Sequence, residues 1–179
     1  MCYWVREMNQ PSLLPEFAGR ADFSSDGLYR YQLIRTWDST KPIFTYIGLN
    51  PSTADAEHND ATTIRNLKRA IAAGAGGYIA VNLFVWVATS PKDMKSAAEP
   101  VGGRNDSAIV DAVTKSKWVL CGWGNHGNHR DRNRDVGRLL WSWPERLYYL
   151  EMNKNGNPKH PLYIAADVAL KPLMIQGFA

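Results

Sequence analysis

The alternation of short apolar runs with amphipathic segments constrains the fold of this chain more than any other feature of its sequence. Apolar runs typical of buried strands occur at 43–49, 78–84, 118–121 and 147–150. Between them, apolar residues at helical spacing predict helices that begin at Asp60, at Asn105 or Asp106, and near Val136. This order is typical of βαβ units, so the sequence predicts an α/β fold, a three-layer α/β/α sandwich with a mostly parallel central sheet.

The first helix has the clearest pattern of the three. Asp60 is positioned to cap it, and Ile64, Leu67 and Ile71 are spaced so that they fall on one face. We therefore expect these three apolar residues to pack against the sheet.

The N-terminal part of the chain differs from the rest. Residues 1–28, punctuated by prolines and glycines, are predicted to be an irregular lead-in, and residues 29–179 a single α/β domain. Residues 29–37 alternate as a strand does, and the turn-like segment 38–42 follows. The sequence thus predicts that 29–37 pairs with 43–49 in an antiparallel N-terminal hairpin.

Composition excludes several classes of protein. A chain of 179 residues, 45% of them hydrophobic, can bury a core without a metal or disulfide staple. Cys2 and Cys121 are the only cysteines, so neither a four-cysteine metal site nor a secreted disulfide framework is expected. The N-terminus lacks the apolar segment of a signal peptide, and no apolar run approaches the roughly 18 residues of a membrane span. We expect a cytoplasmic protein without membrane association and without a cofactor.

The charge is mildly basic and unevenly distributed. The net charge of +4 permits a nucleic-acid partner without requiring one. Residues 1–60 carry 5 basic and 8 acidic side chains, whereas residues 61–120 carry 8 and 4 and residues 121–179 carry 8 and 5. Any anion-binding face is therefore expected from the last two thirds of the chain.

Polar or glycine-rich turns follow the predicted parallel strands. In open α/β sheets, ligands bind beyond the carboxyl ends of such strands. The turns lie at Gly48–Thr53, Val81–Phe84, Gly122–Asn125 and Gly156–Tyr163. Their convergence at one edge predicts a binding crevice there.

Three side chains in these turns carry suitable chemistry. Asn50, before the turn-forming Pro51, can hold a water molecule through its amide, and Asn82 can present a donor and an acceptor to the edge of a base. His160 can stabilise negative charge that develops on an oxygen. Each also has a structural alternative: turn formation for Asn50, a bond to neighbouring backbone for Asn82, and a structural role in a proline-rich turn for His160.

Other residues near these turns each allow two interpretations. Phe84, Trp86 and Trp123 either line a pocket or belong to the core, and Gly124 either lines it or lets backbones approach. A basic cluster either contacts phosphates beside the crevice or forms a solvated helix face paired with acidic neighbours. That cluster contains Arg130, Arg132, Arg134 and Arg138.

Two weak patterns concern metals. His126 and His129 have the spacing of metal ligands, but no nearby third ligand is apparent. Asp55 and Asp60, in an acidic loop beside Asn50, have the chemistry to hold a magnesium ion or activate water, but helix capping accounts for Asp60 in part without either role. We therefore predict no metal site.

The chain resembles the bacterial and phage family known as domain of unknown function 1643. The resemblance extends from about residue 29 to residue 163. It rests on segments at 30–37, 49–55, 60–62, 81–84, 100–102, 123–124 and 156–163. The family name implies no activity.

A more distant resemblance does imply one. The order Gly48-Leu-Asn-Pro51, a strand that ends at Asn82, the segment 118–124 and then His160-Pro161 is similar to the uracil-DNA glycosylase superfamily. The resemblance implies that Asn50 holds the attacking water, Asn82 reads the extruded base, His160 supports the leaving base anion, and Leu162 lies near the minor-groove wedge.

The sequence therefore favours a DNA-glycosylase-like hydrolase that cleaves the N-glycosidic bond of a base, modified or not, in nucleic acid. The catalytic residues expected are Asn50 and His160. The substrate-binding residues expected are Asn82, Pro51, Ser52, Phe84, Trp123, Gly124, Leu162 and Tyr163, and Arg130, Arg132, Arg134 and Lys159 are expected to contact phosphate. Two alternatives stay open: a non-catalytic module that binds a nucleotide or nucleic acid, and an enzyme that acts on free nucleosides or nucleotides.

Overall fold

The computed structural model of the protein describes residues 14–52 and 57–174. Within these ranges the strands are β1 (Ala18–Phe23), β2 (Arg30–Thr36), β3 (Ile43–Gly48), β4 (Gly77–Asn82), β5 (Ser116–Cys121), β6 (Leu147–Tyr149) and β7 (Lys171–Pro172). The α-helices are α1 (Ala61–Ala72), α2 (Pro91–Ser96), α3 (Asn105–Lys115) and α4 (Arg132–Leu139). Short 3-10 helices cover Asn125–Asp131, Pro144–Arg146 and Pro161–Tyr163. None of the helices in the described ranges is both long and apolar enough to cross a membrane.

The strands form one mixed sheet in the order β1-β2-β4-β3-β5-β6-β7. β3 is central and parallel to both β4 and β5, and β6 is parallel to β5. β2 is antiparallel to β4, β1 to β2, and β7 to β6. The predicted α/β class is confirmed. The sheet is mixed and not mostly parallel as predicted, because the three parallel pairings at its centre are matched by three antiparallel pairings towards its edges.

The predicted pairing of 29–37 with 43–49 is wrong, because β4 lies between β2 and β3. The connection between β2 and β3 crosses the end of β4, a span of roughly two strand spacings, or about 10 Å. There the N–H groups of Trp37 and Asp38 donate to the Gly76 carbonyl at 3.0 and 2.9 Å. A Cβ atom at Gly76 would collide with the Asp38 carbonyl, so this crossing needs glycine.

An antiparallel N-terminal hairpin does form, but from β1 and β2. β1 lies inside the segment 1–28 that we expected to be irregular. The start of that segment, residues 1–13, lies outside the described residues, and the domain boundary at residue 29 stays a prediction.

The core lies on both faces of the sheet, because successive residues of a strand point to opposite faces. One face packs against α3 and α4 and includes Ile47, Val81, Val119, Ile109, Val113 and Val136. The opposite face packs against α1 and includes Phe44, Tyr78, Leu120, Leu67 and Ala70. The helices therefore cover both faces of the central strands.

Helix α1 buries a different face from the one that we predicted. Asp60 caps it as expected, because its side chain accepts the Thr63 N–H at 2.7 Å. Of the predicted apolar stripe, only Leu67 is buried, whereas Ile64 and Ile71 are 37% and 36% exposed. The buried face comprises Thr63, Asn66, Leu67, Arg69 and Ala70, most of which are polar. This polar face lies beside the cavity described next.

Candidate functional site

A cavity of about 530 Å³ opens at the carboxyl edge of β3 and β4. It lies where the three candidate side chains were expected, and it is lined by Asn50, Asn82 and His160. Further expected residues that line it are Ser52, Trp123, Gly124, Lys159, Leu162 and Tyr163. The volume lies within the roughly 300–1,000 Å³ typical of pockets for small ligands.

Asn82 ends β4 with its side chain at the cavity and is 5% exposed. The side chain lies over the bare backbone of Gly48, where an added Cβ atom would come within 2.7 Å of the Asn82 Oδ1. Among the described residues, no group is hydrogen-bonded to this amide. Its donors and its acceptor are therefore left for a ligand.

The backbone at the end of β4 is held in place by two buried side chains. The Asn105 amide donates to the carbonyls of Asn82 and Leu83 at 3.1 and 2.8 Å. The Arg132 guanidinium donates to the Leu83 carbonyl at 2.9 Å and pairs with Asp106. Since Asn105 makes these bonds, it does not cap α3 as we expected, and Asp106 does not either: residue 104 occupies the cap position without a side-chain cap bond.

Asn50 lies in the turn after β3. Its amide nitrogen donates to the carbonyls of Pro51 and Ala88, at 3.1 and 2.8 Å. These two acceptors fix which end of the amide is nitrogen. The Oδ1 atom is left as an acceptor at the cavity, which is the arrangement that holds a water molecule through one of its protons.

His160 immediately precedes the 3-10 helix Pro161–Tyr163. The backbone N–H of Leu162 donates to the His160 Nδ1 over 3.4 Å, so the neutral ring carries its proton on Nε2. Burial lowers the pKa of the imidazole below its ordinary value of 6.5, against a smaller opposite effect of the Asp60 carboxylate. The ring is therefore neutral at pH 7 and can donate a hydrogen bond through Nε2.

The loop that carries His160 is anchored on both sides. Two arginines of α1 reach it, Arg65 by a 2.9 Å bond to the Ile164 carbonyl and Arg69 by a 2.7 Å bond to the Ala165 carbonyl. On the other side, the imidazole ring lies against Tyr46, with ring centroids 6.4 Å apart. These contacts fix the position of His160 relative to α1 and β3.

The Trp-Gly turn after β5 is tied to the same loop. The Trp123 indole N–H donates to Asn157 Oδ1 at 2.9 Å, and the Gly124 N–H donates to the Pro158 carbonyl at 2.8 Å. Gly124 has a φ of 73°, a left-handed conformation that favours glycine. Trp123 is 2% exposed yet lines the cavity, so it is both a core residue and a wall residue.

Two predicted binding residues do not line the cavity. Phe84 is fully buried in the core and packs on His129, with ring centroids 5.6 Å apart. Pro51 is buried. Its carbonyl accepts hydrogen bonds from the Asn50 side-chain amide and from the Ala88 backbone N–H. At the rim, Tyr163 is 74% exposed.

The predicted phosphate-contacting arginines do not assemble at the cavity. Arg132 is buried and bonded to the end of β4, so it is no surface cation. The Arg130 guanidinium donates to backbone carbonyls after α2, and Arg134 faces Asp131 at 3.8 Å. Lys159 lines the cavity, but its ammonium group is paired with Glu151 at 2.8 Å.

The cavity is also lined by buried residues that no sequence motif indicates as part of a site. They are Arg30, Thr63 and Tyr78, together with Asp60, which we had considered only as a helix cap and in the acidic loop. A signal for Tyr78 was present: it precedes Asn82 by four residues on one strand, so both side chains share a face. Arg30 carried no comparable signal.

No group of three or more His, Cys, Asp or Glu side chains converges among the described residues. His126 and His129 do not form the pair of metal ligands that their spacing suggests. The His126 Nδ1 lies 3.0 Å from the Lys95 ammonium group, and the His129 ring packs on Phe84. Asp55, the proposed partner of Asp60, lies outside the described residues, as does Thr53 of the first turn.

Comparison with known proteins places the chain in a family. No curated protein and no solved structure matches it significantly, so the resemblance to uracil-DNA glycosylases stays a prediction. A family model does match residues 30–162, from the start of β2 to the turn that follows His160, and its description is a protein of unknown function (DUF1643). Because this match covers well over half of the chain, the protein belongs to the DUF1643 family.

Proposed function

We propose that this protein is a hydrolase that cleaves the N-glycosidic bond of a base, on a three-layer scaffold like that of the uracil-DNA glycosylases. One observation carries the proposal: Asn50, Asn82 and His160, from three separate segments, line a single cavity at the carboxyl edge of the parallel strands. Each of the three offers the ligand a group that the surrounding protein leaves available.

The three groups match the charges that develop as a base leaves a sugar. The sugar becomes positive and the base negative, so preorganised donors at the base and a water on the opposite sugar face lower the barrier. In this proposal Asn82 binds the edge of the base and the Nε2–H of neutral His160 stabilises the base anion. The Oδ1 of Asn50 accepts a hydrogen bond from the attacking water and orients it. The water oxygen bonds to the sugar carbon as the carbon–nitrogen bond to the base breaks, and the proton that the water loses neutralises the released base anion.

A second candidate is an enzyme that acts on free nucleosides or nucleotides. It is favoured by the position of the arginines, since Arg132 is buried and Arg130 is bonded to backbone carbonyls. A site that acts on duplex DNA needs cations that follow the phosphate backbone. Of the cations expected to contact phosphate, Lys159 alone lies at the cavity wall within the described residues, and Glu151 pairs with it. Arg30 also lines the cavity, but it is only 4% exposed.

The test is release of free base from two matched sets of substrates. One set is duplexes that carry uracil, hydroxymethylated or glucosylated pyrimidines, and the other is the corresponding free nucleosides and nucleotides. We expect release from at least one set, and loss of release in Asn50→Ala, Asn82→Ala and His160→Ala. The matched control is Asn128→Ala, an exposed asparagine outside the cavity.

Each outcome decides between the candidates. Release from duplexes alone supports the DNA glycosylase, and release from free compounds alone supports the nucleoside enzyme. Binding without release from either set indicates the non-catalytic module and refutes hydrolysis. Full activity in an Asn50→Ala, His160→Ala double variant refutes the roles given to these residues.

A further inference from the structure

A second hollow, of about 470 Å³, lies beside the cavity and shares part of its wall. Both are lined by Pro91 and His126, so a ligand that extends from the cavity past these two residues enters the hollow. The other residues that line the hollow belong to α2 or to its cap, and they are Ser90, Lys92, Lys95 and Ser96. The hollow therefore lies between α2 and the start of the 3-10 helix Asn125–Asp131.

Helix α2 presents two lysines to this hollow. Ser90 caps the helix, because its hydroxyl oxygen accepts the Asp93 N–H at 3.2 Å. Met94 is fully buried in the core and fixes which side of the helix faces inward. Lys92 and Lys95 are spaced so that they share another side, and both line the hollow. The lysines are therefore positioned by the packing of the helix that carries them.

The 3-10 helix that carries His126 is held both to α2 and to the cavity wall. The Arg130 guanidinium donates to the Ala98 carbonyl, just after α2, at 3.1 Å. On the other side, Gly127 lies against the indole ring of Trp123, where an added Cβ atom would overlap the ring. Because Trp123 also lines the cavity, the position of His126 relative to the cavity is fixed.

The charged groups of the hollow are positive and have no carboxylate partner. The Lys95 ammonium group lies 3.0 Å from the His126 Nδ1. Since an ammonium group only donates, the ring accepts at Nδ1 and carries its proton on Nε2. No ion pair of the described residues includes Lys92 or Lys95, and the acids nearest to them in sequence, Asp93 and Glu99, do not line the hollow. Lys95 and His126 therefore both keep a donor for a further acceptor.

Repulsion among these groups favours an anion between them. Burial and, after it, the charge of Lys95 lower the pKa of the His126 imidazole. Burial also lowers the pKa of His129, and Lys95, Arg130 and His126 act on it in the same direction. An anion in the hollow offsets this repulsion, and phosphate is an anion that lysine binds by charge-assisted hydrogen bonds.

We propose that the hollow is a subsite for one phosphate group of the ligand whose base lies at Asn82. The Lys95 ammonium group and the Nε2–H of His126 donate to the phosphate oxygens, and Lys92 adds a second positive charge. This inference rests on the proposed function in placing the base at Asn82. It makes the substrate a nucleotide, free or within a strand, and not a nucleoside.

The first test compares ligands that differ by one phosphate. Calorimetric titration of the full chain at constant ionic strength uses deoxyuridine and deoxycytidine, each against its 5′- and its 3′-monophosphate. We expect one of the monophosphates to bind about 10- to 100-fold more tightly than its nucleoside, the range that a charge-assisted hydrogen bond contributes. A trinucleotide with the same base in the middle is the third ligand. A preference that extends to it assigns the phosphate to a strand, and a preference for the monophosphate alone assigns it to a free nucleotide.

Two variants locate the preference. In Lys95→Gln and in His126→Gln the preference for the phosphorylated ligand should fall at least about fivefold, with little change for the nucleoside. The matched control is Lys68→Gln, which removes the same charge from an exposed lysine of α1 that lines neither the cavity nor the hollow. It should keep the full preference. His126 is exposed, so His126→Gln keeps the test valid if Lys95→Gln fails to fold.

Inorganic phosphate tests the hollow without any base. In side-chain NMR spectra of the full chain, added phosphate should shift the ring signals of His126 more than those of His160. Sodium chloride at the same ionic strength should not, because it lacks the oxygens that accept from Lys95 and His126. A nucleoside should shift the signals of His160 instead, since that ring lines the cavity.

Equal affinities for nucleoside and phosphorylated ligands in the wild type overturn the proposal. A preference that survives both variants also overturns it, because the phosphate then binds elsewhere. If no nucleoside binds, the absence of a His126 response to phosphate overturns it by itself. Phosphate binding at His126 without base release leaves the subsite in place and removes the hydrolase, and base release without a phosphate preference does the reverse.

Discussion

Replacing Gly48 by alanine should move the side chain of Asn82 without touching any ligand directly. The new Cβ atom would lie 2.7 Å from the Asn82 Oδ1 and 2.9 Å from Cε1 of Tyr46. The Tyr46 ring is held by a 2.9 Å bond from its hydroxyl to the Gly122 carbonyl, and it is packed in the core. The Asn82 amide makes no such bond, so it is the group that gives way and rotates off its present position.

Two magnitudes follow from this collision. Overpacking of this kind costs about 1–3 kcal/mol, which for a chain of this length lowers the melting temperature by about 2–12 °C. Loss of an amide that pairs with the edge of a base costs about 1–3 kcal/mol in binding, or about 5- to 150-fold in affinity. Ligand affinity should therefore fall in Gly48→Ala even at temperatures where the variant is fully folded.

The assay is thermal denaturation together with titration of the base-containing ligand that the wild type binds most tightly. Gly103→Ala is the matched control, because a Cβ atom there meets no other group within 4 Å. It should match the wild type in both measurements. A Gly48→Ala variant that is less stable but binds with unchanged affinity would refute the reasoning, since it would show that the position of Asn82 does not matter to the ligand.

Two further predictions concern charged groups of the site. Because burial lowers the pKa of His160, its neutral form is favoured in the folded state, so the stability that depends on it is present above pH 6.5 and is lost as the pH falls below that value. Activity that depends on the neutral ring should likewise show an acid limb below pH 6.5 in the wild type, and the loss of stability on acidification should be smaller in His160→Asn. Arg132→Ala removes the bonds to Leu83 and Asp106 and should cost about 2–4 kcal/mol, or about 4–16 °C in melting temperature. The exposed Arg134, replaced in the same way, should change the melting temperature by less than about 3 °C in the same thermal scan.

The position of the cavity could be predicted from the sequence because it depends on one rule of topology. Parallel strands that alternate with helices bring their carboxyl ends to one edge, whatever their order in the sheet. Asn50 and Asn82 follow such strands directly, so they lie together even though the predicted pairing of β2 with β3 was wrong. His160 comes from a long loop, and it reaches the same edge because Arg65 and Arg69 hold that loop to α1.

The strand order itself could not be predicted from local pattern. The segment between β2 and β3 has the length and composition of a hairpin turn, and nothing in it shows that β4 enters between them. That insertion depends on Gly76, some 40 residues further along the chain, whose bare backbone lets the connection cross. A contact between residues so distant in sequence leaves no periodic signal.

The positions of the arginine side chains also could not be predicted from local sequence pattern. The sequence leaves the cluster of Arg130, Arg132 and Arg134 open to two interpretations, a solvated helix face paired with acidic neighbours and a phosphate-binding surface. In the structure the three serve different purposes, because Arg132 turns inward to the Leu83 carbonyl while the other two stay at the surface. Spacing alone carries no information on which guanidinium finds a buried carbonyl.

The face that helix α1 buries differs from the predicted one, and the residues on it are more polar than an apolar stripe. An apolar stripe at Ile64 and Ile71 would bury more hydrocarbon, yet the helix turns Thr63 and Asn66 toward the sheet instead. Thr63 lines the cavity, whereas Asn66 lies behind it beside Tyr78, and its side chain is hydrogen-bonded to the Tyr78 hydroxyl. An apolar stripe in this orientation would place hydrocarbon against the cavity and would leave the buried Tyr78 hydroxyl without that contact, which costs about 1–3 kcal/mol. The polar positions of α1 therefore match the two polar surroundings that the helix meets, and the apolar spacing of Ile64 and Ile71 carries no information on either.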